Sequence, residues 1–182
     1  MPTTPTILDR DNPILRKIAK AVDPKDISSK KIKSIIADMK AALETQEDGV
    51  AIAAPQIGHS LRIFVVSHKA FEKGAAKNTK KLENDLVCIN PELIKLSKNK
   101  KVVAEGCLSV RYLYGNVERS EKATVRALNE KGEAFERGGS GLLAQIFQHE
   151  TDHLNGILFV DKATNIENVP PATTVEITPS HV

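Results

Sequence analysis

Apolar positions recur at helical spacing in two parts of the chain. Between residues 32 and 43 they return every three or four residues, and Ser28 or Ser29 stands where a helix N-cap is expected. From Leu142 to Leu154 a second apolar stripe has the same period, with Ser140 available as its cap. The sequence therefore predicts two helices that lie far apart along the chain.

The pattern between these helices is that of short strands. Residues 61–67 are rich in β-branched and aromatic types, which predicts a buried strand. Residues 129–132 have the length and the glycine of a hairpin turn between two further strands. The strand-like runs besides 61–67 are 86–89 and 93–96, separated by Asn90-Pro91, and then 102–104, 123–128 and 133–137.

Three polar segments flank these elements. Residues 1–26 alternate prolines, charges and short apolar runs, so we expect an extended arm that packs on the body of the protein. Residues 68–85 hold five lysines and predict an exposed loop. The tail, residues 164–182, has no helical period and is expected to be an edge strand or disordered.

The composition is that of an ordinary globular chain. Hydrophobic residues make up 41% and charged residues 27% of the 182 positions. We expect one domain over residues 1–182, with a core of about 7–161 followed by the 164–182 tail. The net charge of +3 and the pI near 8.8 are too mild to predict specific nucleic-acid recognition, although docking of the lysine-rich segments on ribosomal RNA stays open.

The cysteines and the N-terminus bear on the compartment. Cys88 and Cys107 form no CxxC pair, which favours a reducing environment. The N-terminal residues lack the basic and apolar regions of a secretion signal. No run of about eighteen apolar residues, the length that a membrane helix needs, occurs in the sequence. We therefore expect a cytoplasmic protein without membrane association.

The stretch 148–154 contains an HExxH motif. Residues four apart on a helix point in nearly the same direction, so His149 and His153 can hold one metal ion while Glu150 stands at its edge. This arrangement is typical of hydrolases. The alternative, two histidines placed by chance on an apolar helix face, stays open for a single motif of this length.

A catalytic metal site usually needs a third protein ligand. Phe159 stands where the HExxHxxG zinc-protease pattern requires a histidine, so that pattern is disfavoured. Glu167 and Glu176 stay open, but they lie in a tail without a predicted helix. Cys107, in the stretch EGCLS, is the better candidate because a thiolate binds iron, zinc, cobalt or nickel. Cys88 lies in the apolar run LVCIN and is therefore predicted to be a buried core residue.

Three stretches can be compared together: GVAIAAPQ at 49–56, EGCLS at 105–109 and QHETDHLNG at 148–156. In their order and separation they resemble the three signature motifs of peptide deformylases. Flanking runs such as NPILRKIAK and INPEL extend the resemblance to about residues 7–161. Three linked motifs are far more specific than any one of them alone.

The resemblance implies an α+β fold in which antiparallel β-sheets pack around a central helix that bears the HExxH motif. It also implies an enzyme, a metallohydrolase that removes the N-formyl group from the N-terminal formylmethionine of newly synthesised polypeptides and releases formate. Cys107, His149 and His153 would hold one divalent metal ion. That ion would be Fe(II) in the cell, with Zn, Ni or Co able to bind in its place.

The expected mechanism assigns roles to three further residues. Glu150 would take a proton from the attacking water and pass it to the leaving amine. The resemblance implies that the side-chain amide of Gln56 and the backbone N–H of Leu108 stabilise the negative charge that develops on the formyl oxygen. Glu150, Gln56 and Leu108 are therefore the predicted catalytic residues.

The expected partner is a formylmethionyl peptide. Its backbone would lie along residues 49–52 as an added strand, and Val50 and Ile146 are candidate walls of the methionine pocket. We expect a monomer, and a transient contact with the ribosome stays open. The residues predicted to bind substrate are Gly49, Val50, Ala51, Ile52, Gly106 and Ile146.

The sequence departs from the family pattern at the edge of these motifs. Ala51 replaces a glycine that is usual in the first motif, and Arg111-Tyr112 replace the usual Pro-Gly after EGCLSV. Both changes lie beside the expected active site, so they bear on substrate preference and rate more than on the ligand set. Two other functions therefore stay open: a catalytically impaired protein that binds formylated N-termini, and a zinc peptidase.

Overall fold

The computed structural model describes residues 5–72 and 84–170, which form two antiparallel sheets and two main helices. The strands are β1 (Ala51–Ala53), β2 (Ile63–Val66), β3 (Leu86–Leu96), β4 (Lys100–Cys107), β5 (Val110–Ser120), β6 (Lys122–Leu128), β7 (Ala134–Ser140) and β8 (Thr164–Asn168). The helices are α1 (Lys30–Glu44), the single turn α2 (Lys69–Glu72) and α3 (Leu142–Leu154). Single 3-10 turns occur at Pro13–Arg16, Pro24–Asp26, Ala54–Ile57 and Phe159–Asp161.

The strands divide into a five-stranded sheet of order β1-β2-β3-β6-β7 and a three-stranded sheet of order β4-β5-β8. Every pairing between neighbouring strands is antiparallel. Helix α3 packs against strands of both sheets, whereas α1 packs on β1 and β2. The expected α+β class with antiparallel sheets is therefore confirmed.

Helix α1 begins where the sequence predicts it. The side chain of Ser29 accepts a hydrogen bond from the backbone N–H of Ile32 at 3.3 Å, which satisfies one of the amide groups that a helix leaves unpaired at its start. Its apolar stripe is buried against the sheet, and the buried residues are Ile32, Ile35, Ile36, Met39, Ala42 and Leu43. Capping and burial together define this helix.

Helix α3 has the predicted bounds, but the predicted cap is wrong. Ser140 is the last residue of β7 and pairs with Lys122 instead of capping the helix. Gly141 occupies the N-cap position, where its φ of 57° suits a residue without a side chain. The strand therefore runs directly into the helix through one glycine, without a side-chain cap.

The predicted break at Asn90-Pro91 is also wrong, because β3 continues through it. A β-bulge between Ile89 and Glu92 absorbs the proline, and Asn90 adopts a φ of 51° there. The Asn90 side chain accepts from the N–H of Val22 and donates to its carbonyl, both at 2.8 Å. The bulge thus ties the N-terminal segment to the sheet.

The predicted N-terminal arm is confirmed for the residues described. The N–H of Leu8 donates to the carbonyl of Gln56 at 2.8 Å, and that of Ala19 donates to the carbonyl of Leu154 at 2.9 Å. The arm therefore binds both the turn after β1 and the end of α3. It braces two elements that carry predicted site residues.

The predicted tail and the lysine-rich loop are described only in part. Residues 164–168 form β8, an edge strand paired with β5, so the edge-strand expectation is confirmed there. The rest of the tail from 171 and most of the 68–85 loop, residues 73–83, lie outside the described residues. Among the helices that the structure describes, none has the length and apolar character needed to cross a membrane.

Candidate metal centre and cleft

Three side chains from two elements converge at one point. Cys107 is the last residue of β4, and His149 and His153 lie one turn apart on α3. The potential ligand atoms of the three residues all lie within 4.8 Å of one another, and the Cys107 Sγ is 3.2 Å from the His153 Nε2. The structure thus brings together the three residues that the sequence predicts as ligands.

Of the two alternative third ligands, only Glu167 is among the described residues, and it does not belong to this cluster. Glu167 lies on the edge strand β8, where it pairs with Tyr114 and is exposed to solvent. Glu176 lies outside the described residues. Phe159 contributes a ring that stacks on His149, with 6.4 Å between ring centroids. The Phe159 ring therefore packs against His149, a candidate ligand, and supplies no ligand atom itself.

The register of β4 and β5 explains the position of Cys107. A register shift after Gly106 pairs Cys107 with Val110, so the chain turns sharply through Leu108 and Ser109. This turn places the thiol at the end of its strand, facing α3. The sequence pattern predicts no strand over the residues of β5. The turn between β4 and β5 nevertheless positions Cys107 in the candidate metal site.

The electrostatics of the cluster favour a thiolate. Burial would raise the pKa of the Cys107 thiol, but the charge of His153 and hydrogen bonds with His149 and His153 lower this pKa to about 5. The thiolate is the form of cysteine that binds metals. Because one thiolate and two imidazoles suit a divalent transition metal, the donor set fits a metal centre.

Glu105 fixes the orientation of one histidine. Its Oε2 lies 3.0 Å from the His149 Nδ1, which leaves the Nε2 of that ring available to a metal. Arg119 donates to both oxygens of Glu105, at 2.7 and 2.9 Å. Burial would raise the Glu105 pKa, but the hydrogen bonds from Arg119 and His149 lower it to about 2. The carboxylate is therefore charged at neutral pH.

The same network continues to α3 and beyond. Arg119 donates to Asp152 at 2.7 Å, and Lys162 donates to both oxygens of Asp152 at 2.7 and 2.8 Å. Asp152 lies within the HExxH segment, so the network joins β4, β5 and α3 around the metal centre. The sequence pattern alone assigns no role to Glu105, Arg119 or Asp152.

Removing Arg119 should leave Glu105 as an uncompensated buried charge. We expect Arg119→Met to lower the free energy of unfolding by about 3–5 kcal/mol and to weaken metal binding by about 10–100-fold. Urea unfolding of the metal-free proteins and metal competition with a chelator measure the two effects. Arg126→Met, which breaks an exposed pair with Glu136, is the control and should cost below about 1 kcal/mol. Equal losses in the two variants would contradict the prediction.

Gln56 extends its side-chain amide toward the candidate metal centre. It lies in the 3-10 turn after β1, and its Oε1 accepts a hydrogen bond from the N–H of Ala53 at 2.8 Å. Because the carbonyl oxygen is occupied, the amide nitrogen faces Ser109 Oγ at 3.2 Å and Cys107 Sγ at 3.6 Å. The side chain therefore presents a donor toward the cluster.

Glu150 is buried beside the ligands. It is 3% exposed, and its Oε2 has no hydrogen-bond partner among the described residues. Burial raises the pKa of its carboxyl group, and the charges of His149 and His153 act against this rise. A buried carboxylate with a free oxygen at the floor of a cleft is suited to proton transfer.

A cleft of about 340 Å³ opens above the cluster. Its lining includes all but one of the predicted substrate-binding residues, namely Gly49, Val50, Ala51, Gly106 and Ile146, together with Gln56, Leu108 and Glu150. Ile52 does not line the cleft, because side chains alternate along β1 and its own is fully buried in the cluster around α1. Its side chain is therefore not available to a bound peptide.

The unusual residues of this chain lie at the same cleft. The methyl group of Ala51 packs in the apolar cluster that includes Ile146 and Phe147 of α3, and Ala51 is 7% exposed. Arg111 and Tyr112 also line the cleft, and both are exposed to solvent. Arg111 and Tyr112 are departures from the family pattern, but the sequence does not indicate that they lie in the exposed part of the cleft.

Comparison with known proteins agrees with this geometry. The family model described as polypeptide deformylase matches residues 5–169. A peptide deformylase of Carboxydothermus hydrogenoformans is 44% identical over 162 residues, covering 88% of this chain and 93% of that protein. Peptide deformylase 2 of Clostridium acetobutylicum is 39% identical over 154 residues, covering 85% and 91% of the two chains.

Solved structures show the same similarity in three dimensions. The actinonin-bound class I type b peptide deformylase of Acinetobacter baumannii has a TM-score of 0.77 and 35% identity, covering 90% of this chain and all of that one. The peptide deformylase of Thermotoga maritima has a TM-score of 0.75 and 34% identity, covering 90% and 99%. With the family model spanning almost the whole described chain, this protein belongs to the peptide deformylase family.

Proposed function

We propose that this chain hydrolyses the N-formyl group of formylmethionine at the start of newly made polypeptides and releases formate. The observation that carries the proposal is the convergence of Cys107, His149 and His153 beside the buried carboxylate of Glu150. Peptide deformylases are metal-dependent hydrolases, and the donor set of this chain suits that chemistry. In this proposal α3 is the central helix of the fold, because it supplies two ligands and the acid/base.

We assign the metal to Cys107, His149 and His153. Fe(II) is the ion proposed for the cell, with Zn, Ni or Co in purified protein, because a cysteine with two histidines accepts several of these ions. A divalent ion supplies Lewis acidity, which makes water a competent nucleophile near neutral pH. Glu105 and Arg119 support the site by holding the His149 ring in place.

Glu150 is assigned the proton transfers. Its carboxylate takes the proton of the attacking water, and the resulting acid gives it to the departing amine of the methionine. Burial raises the pKa of this carboxyl group, which makes it a better proton acceptor than an exposed glutamate. The free oxygen of Glu150 supports this role.

Gln56 and Leu108 are assigned to the formyl oxygen. The amide of Gln56 already faces the cluster as a donor, and Leu108 follows Cys107 in the turn, where its backbone N–H becomes the second donor. Both would stabilise the negative charge that develops on this oxygen as water adds to the formyl carbon.

The peptide is assigned to the cleft between β1 and β4. We propose that its backbone lies along residues 49–52, with the methionine side chain against Val50, Gly106 and Ile146. A structure of the Acinetobacter baumannii enzyme is described as bound to Met-Ala-Ser, with 34% identity to this chain. The same tripeptide is therefore a suitable ligand to test here.

Loss of the Gln56 amide should reduce turnover without loss of metal. We expect Gln56→Leu to lower kcat by about 10²–10³-fold, because the formyl oxygen loses one of its donors. Ser109→Ala is the matched control, since Gln56 keeps its bond to Ala53 in that variant. Formate release by metal-loaded protein measures both. Equal loss in the two variants would contradict the assignment, because Ser109→Ala leaves the Gln56 amide and its bond to Ala53 in place.

Formate release from formyl-Met-Ala-Ser tests the function directly. The protein, loaded with iron or nickel under anaerobic conditions, should release formate and free Met-Ala-Ser and leave the peptide bonds intact. Cleavage of unformylated Met-Ala-Ser would support the zinc peptidase instead. Tight binding of the formylated peptide without turnover would support the binding protein.

The remaining assignments follow from this activity. We propose a single-domain monomer that acts in the cytoplasm, where its substrates are made and where the Cys107 thiol stays reduced. The ribosome is proposed as a transient partner in the same function, with contact through the lysine-rich segments.

A further inference from the structure

The cleft has a deep end and an outer end. At the deep end Gln56 and Glu150 are 1% and 3% exposed, and Cys107 lies beside them. At the outer end the side chains of Asp48 and Arg111 are 61% and 36% exposed. Asp48 and Arg111 therefore lie at a solvent-exposed end of the cleft, where the part of a peptide beyond the formylmethionine can pass.

The outer end is bridged by an ion pair. Arg111, the second residue of β5, donates through its Nη1 to both oxygens of Asp48, at 3.3 and 3.2 Å. Its Nη2 donates to the side-chain carbonyl of Gln46. Gln46 and Asp48 belong to the segment between α1 and β1, so Arg111 connects the two walls of the cleft.

The backbone on both sides is shaped for this contact. A Cβ at Gly49 would lie 2.9 Å from the Cβ of Gln46 and 3.0 Å from Leu43, so this segment folds back closely on the end of α1. On the other wall Tyr112 adopts a φ of 66°, and its carbonyl accepts from the N–H of Val169 at 2.7 Å. Residues on either side of the bridge are thus fixed.

We propose that Arg111 is a positioning residue that acts through Asp48. It holds the start of the proposed substrate strand, residues 49–52, at the distance from β5 that a bound polypeptide requires. The inference rests on the proposed function, because it assumes that the peptide pairs with this strand. The bridge lies at the outer end of the cleft and not beside the proposed ligands. It should therefore affect binding of the substrate residues that follow the methionine.

The effect should depend on the length of the substrate. With formyl-Met-Ala-Ser, Arg111→Gln should raise KM by about 2- to 5-fold and leave kcat unchanged, the range expected for an exposed ion pair. With formylmethionine amide, which ends before the bridge, KM should stay unchanged. Arg111→Lys should restore most of the wild-type KM, because an ammonium group can still pair with Asp48.

Asp48→Asn should raise KM for the tripeptide by a similar factor, and the double variant should be no worse than either single one. Higher salt should weaken the wild-type preference for the longer substrate but not that of Arg111→Gln. Binding of the product Met-Ala-Ser, measured by calorimetry, should weaken by the same factor and does not depend on turnover.

Equal changes with both substrates, a fall in kcat, or an unchanged affinity for Met-Ala-Ser would each overturn the inference. No formate from either substrate with wild-type protein would overturn the proposed function instead, and the calorimetric comparison would still test Arg111.

Discussion

Glu150→Gln is expected to lower kcat for formyl-Met-Ala-Ser by about 10²–10⁴-fold while metal content stays unchanged. The amide has almost the same shape as the carboxylate but cannot accept the proton of water. Glu150 is also not among the atoms that converge at the metal site, so the ligand set stays intact. Stopped assays of formate and metal analysis on the same sample measure the two quantities.

Glu150→Asp is the matched control for this variant. It keeps a carboxylate but shortens its reach, so we expect activity between that of wild type and Glu150→Gln. The variants should also fold as well as wild type, since removing a buried charge with an unpaired oxygen does not break a hydrogen bond of that atom. Full activity of Glu150→Gln with metal bound would show that another group transfers the proton.

Cys107→Ala is expected to lower metal affinity by more than about 100-fold and to abolish formate release. Loss of a residue that only supports a ligand already costs about 10–100-fold in metal affinity, and Cys107 is assigned as a ligand itself. Two histidines alone do not complete the usual set of three protein ligands. Competition with a chelator of known affinity measures the change.

Cys88→Ala is the control for the loss of a thiol. Cys88 is fully buried in the apolar core of the five-stranded sheet, where burial raises the pKa of its thiol far above the usual value. We expect this variant to lose about 1 kcal/mol of stability and to keep its metal. Addition of metal should raise the melting temperature of Cys88→Ala but not of Cys107→Ala. A metal-dependent rise in both would contradict the ligand assignment.

The proposed ligands could be predicted from the sequence because their geometry is local or linked to a motif. His149 and His153 are one helical turn apart, so helical periodicity alone places them together. Cys107 is a candidate from its donor chemistry and gains support from the family resemblance, since nothing in the spacing of residues 107 and 149 indicates that β4 ends against α3. The structure brings all three together at the predicted place.

The supporting network could not be predicted in the same way. Glu105, Arg119 and Asp152 are charged residues, and a charged residue in a sequence is usually assigned to the surface. Their burial depends on the pairing of β4 with β5 and on the packing of α3, which are long-range features. The sequence pattern predicts no strand over the residues of β5. It therefore did not indicate that Arg119 pairs with Glu105.

Errors in the predicted elements have related causes. The proline at position 91 favours a break in the strand, but tertiary pairing with β6 overrides it through a bulge. Ser140 has the right type for a cap, but β7 continues to that residue and the turn needs the positive φ of Gly141. Local preference yielded to sheet pairing in both cases.

We propose that this chain acts as a deformylase with one metal ion held by Cys107, His149 and His153. Metal content and formate release, measured together on freshly purified protein titrated anaerobically with iron or nickel, test it most directly. We predict that activity on formyl-Met-Ala-Ser rises in proportion to bound metal and saturates at one ion per chain. Formate release without metal, or metal-saturated protein that releases none, would contradict the account.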